Sequence, residues 1–252
     1  MRSVDEPGAP ANASAQKLVT RLGFGSALGT AVVTAVFMIL GITTPPRSGP
    51  FCGSACVPYP YTDVAAFIPQ DYVWLYPGIL LAPVFVVLMA CIHAYAPHGK
   101  KVFSRTGLSF AVLYAAVILM DYFIQLTVVV PSLRSGETAG LSLLTQYNPH
   151  GIFITFEALG YLMMSTALLF VAPVFAGGRI ELVIRWLFVV GFVLTLLAFV
   201  TLPLAGYDIV AFEVTVLTID WAVLIVSGAL LSFVFRRAGR ADAVWPERGS
   251  AL

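Results

Sequence analysis

Four carboxylates, Asp121, Glu157, Glu213 and Asp220, stand in stretches that are otherwise almost free of charge, and no basic residue shares any of those stretches. Tyr114, Asp121 and Gln125 fall at i, i+7 and i+11, which is one face of a helix. His150, Glu157 and Tyr161 repeat that spacing, with Met164 continuing the stripe. Glu213, Asp220 and Ser227 are successive i+7 positions. A charge at mid-bilayer costs about 2.5–3.5 kcal/mol on insertion scales, so such groups face a protein interior and mark ion or proton paths by default. Carboxylates with an imidazole at the rim bind protons, cations or amines, or serve as acid and base. The competing reading is structural: the acids are hydrogen-bonded to Tyr114, Tyr161, Gln125 or Ser227 and only hold helices together. Asp121, Gln125, His150, Glu157, Tyr161, Glu213 and Asp220 are thus the candidate transport or ligand-binding residues. No P-loop, Gly-x-Ser-x-Gly or His-Glu-x-x-His motif is present, so no residue is assigned as catalytic and no metal or cofactor is implied.

The elements that must position these residues follow from composition. Of the 252 residues, 59% are apolar and 11% charged, against about 45–50% and 25% in a soluble domain. Mean hydropathy is +0.91. These values exclude a disordered chain, a secreted disulfide scaffold and an ordinary soluble enzyme. A net charge of +1 gives no pull toward nucleic acid. A spanning helix needs about 20 apolar residues. Six runs qualify: 22–42, 73–95, 107–130, 152–175, 182–204 and 210–235. They are continuously apolar rather than alternating, which predicts an all-α bundle of six transmembrane helices in a lipid bilayer. The chain divides into an N-terminal tail over 1–21, a membrane domain over 22–235 and a C-terminal tail over 236–252. The first run reads as a retained anchor rather than a signal peptide, because no small-x-small cleavage site follows it.

Basic residues set the expected orientation. Twelve lie in the two tails, in the connections after the second and fourth runs, or, for Arg185, in the first turn of the fifth run, whereas the other connections hold only Arg47 and Arg134. The positive-inside rule therefore puts both termini in the cytoplasm and the loops 43–72, 131–151 and 205–209 outside. Abundant Ala, Val and Gly, with Arg favoured over Lys, fit a bacterial cytoplasmic membrane.

Depth along the helices brings the acids together in the outer half of the membrane. At about 1.5 Å per residue, Asp121 lies about 14 Å, Glu157 about 8 Å and Asp220 about 15 Å below the outer surface, with Glu213 nearer the mouth. Asn148 and Pro149 are expected to cap and start the fourth helix, placing His150 at its N-terminus. Pro131 is expected to end the third. Outside, Cys52 and Cys56 flank Gly-Ser-Ala in the longest loop, where an oxidising compartment favours a disulfide. That loop is rich in Pro, Tyr and Trp and reads as an interfacial cap, with a helical turn near 62–68. Gly25-x-x-x-Gly29 offers a surface for close helix packing, within the chain or between two copies. The best functional expectation is transport or conduction of a proton, cation or small cationic solute through an outward-facing acidic cavity. The alternatives are a membrane enzyme with a carboxylate and histidine site, or an accessory subunit.

Overall fold

In a computed structural model of the protein, the described backbone covers residues 9–204 and 209–244, and the described side chains cover 14–201, 204 and 214–240. Six long helices dominate, and no strand occurs among the described residues. They are α1 (Ala9–Thr43), α2 (Leu75–Tyr95), α3 (Lys101–Ile124), α6 (Ile152–Val171), α7 (Arg179–Leu204) and α8 (Ile209–Val244). Two short helices, α4 (Val130–Ser135) and α5 (Leu141–Leu144), lie between α3 and α6. Each of the six long helices, with its short flanking turns, is long and apolar enough to cross a membrane.

Long helices consecutive in the chain, and α1 with α8, run antiparallel. Gly239 meets Thr20, Gly23 meets Phe235 and Gly228 meets Ala27 and Ala31, so α1 and α8 pack along their length. A Cβ at Gly228 would sit 2.7 Å from the Ala27 carbonyl oxygen. Small residues at such contacts let helix backbones approach where lipid supplies no hydrophobic drive. In the same way Phe85 meets Tyr114 across α2 and α3. Gly160 of α6 receives Ile118 of α3, and Gly191 of α7 receives Val223 of α8. Gly29 faces Val84 of α2, whereas Gly25 is exposed with nothing beside it.

The helices outrun the apolar runs. α1 starts at Ala9, inside the expected tail, and α8 continues past Arg236 to Val244. Pro131 does not end the third helix: α3 passes through a π-helical segment, Gln125–Val129, into α4. Proline lacks the N–H of a regular turn and its ring crowds the carbonyl four residues back. The wider π turn takes up that mismatch, and the helix continues until Gly136, whose φ of 74° makes a left-handed cap. Asn148 caps no helix; its Oδ1 accepts from the His150 amide at 2.9 Å, closing a turn, and α6 begins only at Ile152 after Gly151. The expected turn near 62–68 is a 3₁₀ segment, Thr62–Phe67.

Candidate functional site

At the end of the bundle opposite Ala9 and Val244, three separate segments interlock. Asp71 accepts from Arg47 Nε at 2.9 Å and from Arg47 Nη2 at 3.3 Å. Tyr147 donates to the same carboxylate at 3.2 Å, and Gln146 Nε2 donates to the Asp71 carbonyl at 3.0 Å. Ser48 in turn donates to the Tyr147 carbonyl. Arg47 also lies 3.8 Å over the Phe67 ring. The Asp71 bond holds the Arg47 pKa above its usual value. Burial, reinforced by Tyr72 and Asp71, pushes the Tyr147 phenol up. In the same loop region Cys52 and Cys56 are joined by a disulfide.

Beneath this cap lies a cavity of about 330 Å³. Met38 and Gly41 of α1, Trp74, Phe153 and Glu157 of α6, and Trp221 of α8 form its walls, with Arg47, Asp71 and Tyr147 at the top. Aromatic packing fixes those walls. Phe37 stacks on Trp74 at 5.7 Å and meets Trp221 at 4.9 Å. Tyr122 lies 5.8 Å from Trp74 and 5.9 Å from Phe153.

Glu157 lines this cavity and is 1% exposed. Its carboxylate accepts from the Tyr122 hydroxyl of α3. Tyr161, one turn further along α6, accepts from Trp221 Nε1 at 3.0 Å. Asp121 is equally buried and close enough to Glu157 to interact electrostatically, and its Oδ2 has no hydrogen-bond partner among the described residues. Asp220 lies behind Trp221, also 1% exposed. Ser165 and Thr195 approach its carboxyl, yet neither reaches hydrogen-bond geometry, and the Thr195 hydroxyl is likewise unpaired among the described residues. Tyr114 lies within electrostatic reach of both Glu157 and Asp220. Leaving a buried polar group unpaired costs about 1–3 kcal/mol, so a cluster of them calls for a functional explanation.

The sequence candidates therefore separate. Asp121, Glu157, Tyr161 and Asp220 are all buried within the bundle, but only Glu157 lies on the cavity wall. Gln125 serves the loop: its Nε2 donates to the Leu144 carbonyl at 2.6 Å and its Oε1 accepts from the Gln146 amide at 3.0 Å. His150 is exposed and off the cavity wall, because the turn at 148–151 carries it away from the α6 stripe. The Glu213 side chain and residues 205–208 lie outside the described residues. Among the described residues, no three His, Cys, Asp or Glu side chains converge as metal ligands. Periodicity within single helices missed Arg47, Asp71 and Tyr147, which come together from loops. Their signal was a lone arginine in a segment that holds two aspartates, Asp63 and Asp71, and is otherwise dominated by Pro and aromatics. The chain matches no protein-family model, no curated protein and no solved structure, so its function is read from this geometry.

Proposed function

We propose that the chain is a multi-pass protein of a bacterial cytoplasmic membrane, with both termini in the cytoplasm, that admits a small cationic solute or a proton from outside at Glu157. The observation that carries this reading is a second buried carboxyl group, Glu157, below the Arg47–Asp71 pair on a cavity wall that also carries Trp74, Phe153 and Trp221. Arg47 is paired with Asp71, and Glu157 adds a further carboxyl group to the wall. Trp74, Phe153 and Trp221 present ring surfaces to a cation, an attraction of about 0.5–2 kcal/mol per ring. The cavity volume sits at the small end of ligand pockets. Behind it, Tyr122, Tyr161 and Tyr114 lead from Glu157 toward Asp220. Ser165, beside Asp220, is two helical turns past Glu157 on α6, about 12 Å deeper. That succession of hydroxyls and carboxyls is the relay along which the charge moves inward.

Two tryptophans on the wall make binding visible. Titrating the purified protein with benzyltrimethylammonium is expected to quench intrinsic fluorescence saturably. Glu157→Gln is expected to weaken that binding at least about tenfold, the worth of a desolvated charge contact of about 1.4 kcal/mol or more. An uncharged isostere of the probe should leave the signal flat. Equal binding of both probes, or an unchanged Glu157→Gln titration, would remove the cationic reading. Retention of wild-type flux in Asp121→Asn and Glu157→Gln proteoliposomes would transfer support to the accessory-subunit alternative. The enzyme alternative lacks an imidazole at the cavity, since His150 lies off its wall.

A further inference from the structure

The other end of the bundle holds a second cavity, about 890 Å³, between the start of α7 and the end of α8. Arg179, Arg236, Arg237 and Arg240 stand on its wall. All four are exposed, and none of them is in an ion pair among the described residues. The single acid of that wall, Glu181, is already engaged. Its Oε1 accepts from the Tyr95 hydroxyl at 2.9 Å, and its Oε2 accepts from the Ala176 and Gly177 amides at 2.9 and 2.6 Å. Four guanidinium groups thus meet one carboxylate that is held back to order the start of α7. Beside them, Ile180 and Phe233 turn apolar surface outward, at 41% and 59% exposure.

We propose that this cavity binds the headgroup of an anionic phospholipid, with its acyl chains lying along Ile180 and Phe233. Guanidinium forks match phosphate oxygens in bidentate geometry. Basic pockets between transmembrane helices at the membrane surface hold anionic headgroups. Membrane orientation requires only that arginines lie near this surface. It does not require that two segments far apart in the chain converge on one cavity with none of the four in an ion pair among the described residues. The exposed apolar lip favours a lipid over a free anion, because inorganic phosphate has nothing to place there.

The test uses the full-length protein in neutral detergent, offered equimolar phosphatidylglycerol and phosphatidylcholine and read by native mass spectrometry. Retention of phosphatidylglycerol should exceed that of phosphatidylcholine by on the order of tenfold. Arg179→Gln/Arg237→Gln should abolish the preference while leaving the helical circular dichroism and melting temperature unchanged, since both side chains are exposed. The remaining basic residues keep the orientation signal. Millimolar inorganic phosphate should not displace the lipid. Equal retention of the two lipids, or a preference unaltered in the double variant, overturns the proposal. Displacement by phosphate overturns it in favour of a free-anion site.

Discussion

Asp71 shows how one side chain can hold a surface together. It joins Arg47 from one segment to Gln146 and Tyr147 from another, over the mouth of the cavity. Asp71→Asn is expected to lower stability by about 2–3 kcal/mol, less than the 3–5 kcal/mol of a fully buried pair, because Arg47 retains 13% exposure. Arg47→Met/Asp71→Leu should recover most of that loss, since no charge is then left unpaired. Thermal melts in detergent measure both, and an Asp71→Asn melt equal to wild type would show that the pair contributes nothing. Tyr147 adds a pH dependence. Its folded-state pKa is raised above the usual value of about 10, so the stability it lends is fully present below about pH 10 and is lost as pH climbs through the raised value. Tyr147→Phe should therefore flatten the alkaline limb of a stability profile and leave the neutral region unaltered in slope. At this scale the intramembrane acids were legible in the sequence, because lipid makes charge expensive wherever it stands. The cap was not, because an ion pair between residues 24 apart follows from loop geometry and leaves no period to read.

Helix packing explains where glycine can and cannot be replaced. Gly228 lies against the Ala27 carbonyl and the Ala31 amide, backbone atoms that cannot give way. Gly228→Val is expected to separate α1 from α8 and cost about 1–3 kcal/mol or more by overpacking. Gly25→Leu meets open space, so a monomer should tolerate it. If two copies associate through Gly25 and Gly29, Gly25→Leu instead dissolves the dimer. Light scattering of the two variants beside wild type separates the cases, and an oligomer unaffected by Gly25→Leu rules that surface out. The number, type and approximate position of the spans were readable from unbroken apolar runs. Their ends were not. Pro131 reads as a terminator in sequence, yet the π turn before it lets the helix pass. Asn148-Pro149 reads as a helix start, yet Asn148 closes its own turn.

At the scale of the molecule, orientation decides which cavity faces which compartment. The twelve-to-two division of basic residues predicts that alkaline phosphatase fused after Arg237 is inactive in a bacterial host and that a fusion at Gly136 is active. The reverse pattern inverts the molecule and removes the outward entrance. The pairing of α1 with α8 carries a consequence for biosynthesis. α8 is made long after the α1 it rests against, and most of the 252 residues lie between Ala31 and Gly228. At about 5–20 residues per second the ribosome takes roughly 10–40 s to cover that interval. Throughout it, the small-residue face of α1 is without its mate and stays open to the translocon, to lipid or to an insertase. That face is covered only once α8 has been made, and a nascent chain stopped before α8 presents it bare to the quality-control proteases of the membrane.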